Sequence, residues 1–166
     1  MNNKSIIAVA VLLAGVFGWF LHHYSDKEVI KRTLSSIAVA LGKEGEEAPI
    51  QLALKMKTVK DFIAPACEVI VPESNYHEVL DPDLVIRYLI VYRSRQANLQ
   101  VAIDKILVDI PDKGSAEVSA LVHVTANQNQ PDFFDEVHPV KFSLQKQKKK
   151  WLLHQATLPD ALVHGH

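Results

Sequence analysis

The hydrophobic pattern opens with an unbroken apolar run from Ile6 to Leu21, built only from Ile, Ala, Val, Leu, Gly, Phe and Trp. Lys4 precedes it, and His22, His23 and Tyr24 follow. A helix over residues 5–24 would reach about 30 Å, the thickness of a hydrocarbon core. Trp19 and Tyr24 fall where amphipathic rings settle at a membrane interface. The pattern predicts a membrane anchor over residues 1–24, in contact with lipid through the 6–21 run. A cleaved secretory signal and a buried core helix are the competing readings. A cleavable signal needs small residues after its core, and Trp-Phe-Leu-His-His-Tyr-Ser has no Ala-x-Ala pattern. Two cues to orientation oppose each other. Lys27, Lys31 and Arg32 behind the run favour a cytoplasmic domain, whereas the five-residue leading tail favours translocation of the long C-terminal part. The expectation is a single-pass protein with an extracytoplasmic (periplasmic) domain over residues 25–162 and a short tail over 163–166.

Behind the run the period becomes helical. Ser25-Asp26-Lys27-Glu28 reads as a capping box, and Ile30, Leu34, Ile37 and Leu41 form one stripe before Gly42. Residues 43–47, Lys-Glu-Gly-Glu-Glu, read as a solvated loop. Pro49 suits the first turn of a second helix whose inner face is Leu52, Met56, Val59 and Phe62/Ile63, ending at Pro65. Residues 67–71, rich in β-branched side chains, predict a strand closed by Pro72. Asp81-Pro82-Asp83 predicts a third helix with Asp81 as N-cap, and Leu84, Tyr88 and Val91/Tyr92 continue one face.

From Leu99 the period is two. Leu99, Val101 and Ile103 share one parity, and Ile106, Val108 and Ile110 take the other, which predicts a bulge near Asp104 and Lys105. Residues 111–114 form a turn. Three further strands follow, carrying Val118 to Val124, Val140 to Leu144, and Trp151 to Leu158. Helices first and long strands afterwards predict an α+β fold, three helices packed on an antiparallel sheet.

The order of these elements resembles the nuclear transport factor 2-like superfamily (SnoaL-like, with ketosteroid isomerases and polyketide cyclases among its members). The resemblance rests on the helix pair, the Ala64-Pro65-Ala66-Cys67-Glu68-Val69 passage, the third helix, and the closing Lys150-Trp151-Leu152-Leu153 strand. It spans nearly all of the chain behind the anchor. It implies a cone, a strongly bent sheet around helices, open at one end. It carries function poorly, because one cone serves enzymes, ligand cavities and dimer modules alike. The anchor and the charged 43–47 link depart from soluble enzymes of this kind and point to a non-catalytic branch.

Composition narrows the chemistry. Across 166 residues the net charge is −1, so no global field favours nucleic acid. One cysteine, Cys67, excludes an internal disulfide and a thiolate metal cluster; in an apolar strand it reads as a small buried hydrophobe. Eight histidines include His22, His23, His164 and His166, but none stands at metal-site spacing, and neither metal nor cofactor is expected. No catalytic residue is assigned, and His123 falls on the parity away from the cone. Tyr88, Tyr92, Phe62, Phe142 and Trp151 are the candidates to line the cavity. Lys146, Lys148, Lys149 and Lys150 form the one basic cluster, and Phe133-Phe134 either cap the mouth or meet a partner. The reading is an interaction module, as a homodimer or with an envelope partner. Its alternative is a protein that binds a small apolar ligand, or an isomerase- or cyclase-like enzyme.

Overall fold

Ser25 begins the first helix as the spacing predicts: its Oγ accepts a hydrogen bond from the Glu28 backbone N–H at 3.3 Å. The computed structural model describes residues 25–164, so the 6–21 run lies outside the described residues. Among the described residues no helix is long and apolar enough to cross a membrane. Helix α1 (Asp26–Leu41) buries Ile30, Leu34 and Ile37, and Gly42 caps it by donating to the carbonyls of Ala38 and Val39. The Glu28 carboxylate turns to Lys31 at 3.4 Å, so only the Ser25 half of the predicted box is formed.

Helix α2 (Pro49–Lys60) starts on its proline and buries Met56 and Val59. It ends at Lys60, not at Pro65 as the sequence suggested. Pro65 lies inside strand β1 (Ile63–Val71), where the register against β6 shifts between Ile63 and Glu68. A residue without an N–H fits a strand at such an irregularity, so proline here marks a bulge, not a helix end. After a short 3₁₀ turn (Pro72–Ser74), Asn75 adopts a left-handed conformation with φ 51°. The chain then doubles back as β2 (Tyr76–Leu80), a strand absent from the sequence reading.

Helix α3 (Pro82–Ser94) is capped by Asp81, whose carboxylate accepts from the Leu84 N–H at 2.9 Å. Strands β3 (Leu99–Asp112), β4 (Ser115–Ala126), β5 (Phe134–Gln147) and β6 (Lys150–Thr157) follow, then a short helix α4 (Asp160–His164). The six strands are ordered β2-β1-β6-β5-β4-β3. Only β1 and β6 run parallel; the other neighbours are antiparallel. The predicted bulge is present: pairing of β3 with β4 shifts between Asp104 and Leu107, and Lys105 takes φ 50°. That extra residue returns Ile106, Val108 and Ile110 to the face that Leu99, Val101 and Ile103 occupy.

The helices cover one face of this sheet. Ile30, Leu34, Met56, Val59 and Phe62 pack with Ala116, Val118, Leu144 and Trp151 in a single buried cluster. A second, smaller cluster joins Leu99, Val124 and Ala126 to Val101, Val122, Phe134 and Leu162. Helix α4 therefore brings Leu162 onto the inner face at the end away from the main core.

Candidate functional site

Helix α3 decides what can reach the inner face, and it is rotated from the sequence expectation. Its inward side chains are Val85, Ile86 and Leu89, which pack on the core, followed by Arg93, which is 2% exposed. Tyr88, taken from the sequence as a cavity residue, is 55% exposed and lies one step around the helix from that face. The aromatic spacing suggested the wrong stripe because a buried arginine occupies the last position of the true one.

Arg93 also corrects, at one end, the reading of residues 43–47 as solvated: Glu44 and Glu46 are exposed but Glu47 is drawn inward. Its guanidinium donates to the carbonyls of Ala40 at 2.9 Å, Gly42 at 3.0 Å and Leu41, and it pairs with Glu47. Lys55 reaches the Gly42 carbonyl at 2.9 Å and the same carboxylate. Lys43 returns the favour to α3, donating to the carbonyls of Gln96 at 2.7 Å and Arg93 at 3.3 Å. Two helix C-termini meet here, each with unpaired carbonyls and a negative dipole end, and cations satisfy both. Burial raises the Glu47 pKa, but the hydrogen bonds from Lys55 and Arg93 outweigh it and hold the carboxyl below its ordinary range. This cluster is structural: every charge in it faces a protein partner.

The polar groups that do face the inner side, opposite Val122 and Val124 of the smaller cluster, come from β5. Val118 pairs with Phe142, Ala120 with Val140, Val122 with His138 and Val124 with Glu136, so all eight share one face. His138, with a side chain 15% exposed, places Nε2 2.7 Å from a Glu136 carboxylate oxygen; the ring N–H donates and the carboxylate accepts. Tyr92 is their neighbour from α3. Burial raises its hydroxyl pKa and the Glu136 charge adds to that. An imidazole, a carboxylate and a phenol near one another are a proton-transfer set in type, beside Val122 and Val124 of the smaller cluster. Sequence reasoning missed Glu136 and His138 because it began this strand only at Val140. The signal was available: the parity of Leu144, Phe142 and Val140 continues to both.

Of the other candidates, Phe62 and Trp151 are buried in the main core and Phe142 packs against it. They fill the inner side. The Trp151 indole donates to Asp26 at 3.0 Å, tying β6 to the start of α1. Phe133 is exposed while Phe134 joins the smaller cluster, so the pair splits between surface and core. Burial pushes the Cys67 thiol up to about 11. Among the described residues no three His, Cys, Asp or Glu side chains are grouped to hold a metal ion. His22, His23 and His166 lie outside the described residues.

The outer face of the sheet is the second candidate. Leu107 is 72% and Val137 54% exposed there, with Leu121 and Pro139 beside them. His123 is on this side, paired with Asp135. A recess of about 440 Å³ is lined by Leu107, Leu121, Pro139, Val140, Leu158 and Pro159 among others. A second recess of about 480 Å³ borders the 43–47 loop and is half polar in character.

The fold is one already seen in solved structures. A protein from Kribbella flavida superposes with a TM-score of 0.64 at 13% identity, covering 78% of this chain and 86% of that one. A proposed scytalone dehydratase from Novosphingobium aromaticivorans gives 0.62 at 14% identity, with 78% and 79% covered. A proposed calcium/calmodulin-dependent protein kinase II association domain from Xanthomonas campestris gives 0.53 at 16% identity, with 78% and 80% covered. No family model matches the chain. No curated protein matches it either. The similar structures are nuclear transport factor 2-like cone folds, so the resemblance drawn from the sequence holds at the level of fold. At these identities it holds for nothing further.

Proposed function

We propose that this chain is an interaction module mounted on a membrane by its 6–21 run, with the folded domain on the extracytoplasmic side. In this reading it self-associates through the outer face of its sheet. The observation that carries the proposal is the contrast between the two faces. Phe62, Phe142 and Trp151 occupy the inner side, whereas Leu107 and Val137 stand exposed on the outer side, to either side of the Leu121–Pro139 pair. Scattered apolar residues are ordinary, but apolar side chains set diagonally across three adjacent strands offer a patch that a second copy would cover. One structure of similar fold is described as an association domain, which agrees with this use.

The test is the mass of the full chain in detergent, by light scattering during gel filtration. A dimer or higher oligomer is expected. Leu107→Lys with Val137→Lys should convert it to a monomer without changing its melting temperature. A monomeric wild-type chain overturns the proposal.

The Glu136–His138 pair beside Tyr92 supports a second reading, in which a small apolar molecule enters the mouth and exchanges a proton with this set. Thermal-shift measurements against uncharged aromatic ketones and phenols would then show stabilisation that His138→Ala removes. No shift with any of them sinks this alternative.

A further inference from the structure

The four lysines near the β5–β6 turn are not placed at random with respect to the chain's N-terminal segment. Asp26, the second described residue, accepts hydrogen bonds from Lys146 at 2.7 Å and from the Trp151 indole. Lys146 in turn stands 5.5 Å over the Trp151 ring. The turn is thereby fixed beside the point where the 6–21 run joins the fold. Other elements bring lysine to the same end. The Lys146 N–H donates to the Gly114 carbonyl at 2.8 Å, which sets Lys113 in the adjacent turn. Lys57 and Lys60 close α2 there, pairing with Asp61 and Asp83 at 2.6 Å each, and Lys150 adds its charge at Asp61. Seven lysines thus gather at one end of a chain whose net charge is −1; Lys57, Lys60 and Lys146 are paired there with Asp61, Asp83 and Asp26, and Glu28, Asp109, Asp112 and Glu117 lie on the adjoining elements. Exposed Glu44 and Glu46 lie at the opposite end.

A second observation concerns the turn's backbone. Gln147 pairs with Lys150, leaving Lys148 and Lys149 as a two-residue hairpin loop with φ 47° and 70°. Such a loop favours Asn-Gly, because both residues are left-handed. Lysine at both positions is conformationally unfavourable, and strain retained at a surface points to use. All three of Lys148, Lys149 and Lys150 are exposed.

We infer that this lysine-rich end lies against the anionic phospholipid headgroups of the bilayer that holds the 6–21 run. The inference rests on the membrane reading above and adds the lipid charge and the residues that meet it. The span ends at Leu21 and the fold begins at Ser25. So short a tether keeps the basic end within a Debye length of the surface, where each lysine is attracted to anionic lipid.

The test uses the full chain in bilayer discs, one set of phosphatidylcholine and one with about one-third phosphatidylglycerol. Amine acylation of each lysine is followed by mass spectrometry. Lys148, Lys149 and Lys150 should react at least about fivefold more slowly in the anionic discs, an effect that about 0.5 M salt removes, while Lys141 on the outer face reacts alike in both. Lys148→Asn with Lys149→Gly suits the turn better and so folds; it should cut the protection left at Lys150 by about half, because fewer cations hold that end to the surface. Failure of the chain to travel with the discs overturns the membrane reading and this inference together. Incorporation with equal acylation in both lipids, or protection that survives salt, overturns this inference alone.

Discussion

Arg93 is the residue on which most of one end depends. Replacing it with Ala would leave Glu47 with Lys55 as its remaining cation and the Ala40 and Leu41 carbonyls without the guanidinium that serves them. Breaking a buried pair in this way costs about 3–5 kcal/mol. The urea midpoint of Arg93→Ala should fall accordingly, and Arg93→Lys should recover only part of the loss. A single ammonium does not span three carbonyls and a carboxylate as the planar guanidinium does. Cys67 gives a second expectation. Its thiol is buried, with its pKa pushed up to about 11 by desolvation and then by Glu68. Folded protein at pH 8 should therefore resist alkylation by iodoacetamide, and denatured protein should react fully. Burial of Cys67 was legible from its apolar strand. Burial of Arg93 was not, because a charged residue in a helical stripe reads as its solvated edge until the partner carbonyls are known.

At the scale of elements, the β3 bulge and the α1 entry carry the clearest consequences. Lys105 occupies a left-handed position at which glycine has no steric cost, so Lys105→Gly should be neutral or stabilising by up to about 1 kcal/mol. Lys105→Val should destabilise, because a β-branched residue is disfavoured there. Denaturant titration distinguishes the two. The α1 entry adds a pH dependence. The hydrogen bond from Lys146, helped by the Trp151 indole and the Lys146 charge, holds the Asp26 carboxyl below its ordinary 3.8 against the cost of burial. Glu47 is likewise held below 4.5. A depressed folded value means stability that is full above the ordinary value and lost as pH falls through the folded one. The urea midpoint should thus drop below about pH 4.5, with a shallower slope in Glu47→Gln and, at still lower pH, in Asp26→Asn. Most of these elements were readable from caps and periods. Strand β2 was not, since Tyr76-His77-Glu78-Val79-Leu80 lacks alternation and pairs only because the Pro72–Ser74 turn folds it back onto β1.

For the whole molecule, the order of helices and strands specified the α+β architecture, and the similar solved structures agree at identities where sequence comparison is silent. The Glu136–His138 pair was harder to see. Glu136 and His138 follow the same alternation as Val140 and Phe142, but a run with acids and two phenylalanines reads as a loop when taken alone. Only pairing with β4 extends the strand to Phe134. On the scale of the assembly, the outer-face variants Leu107→Lys and Val137→Lys separate self-association from folding, because neither side chain contributes to a buried cluster.

The one parallel pairing in the sheet has a consequence for the order of events during synthesis. Strand β6 sits between β1 and β5, yet of the six strands it is the last made. Until it arrives, the β1–β2 hairpin and the β3–β4–β5 meander are two unjoined halves, each with an open edge. Contacts this distant along the chain also slow folding. The 6–21 run leaves the ribosome long before β6 does, so in the membrane reading proposed above its delivery to a bilayer would precede closure of the sheet. On that proposal the domain would complete its fold already tethered, at a surface where neighbouring copies with open edges would be held close.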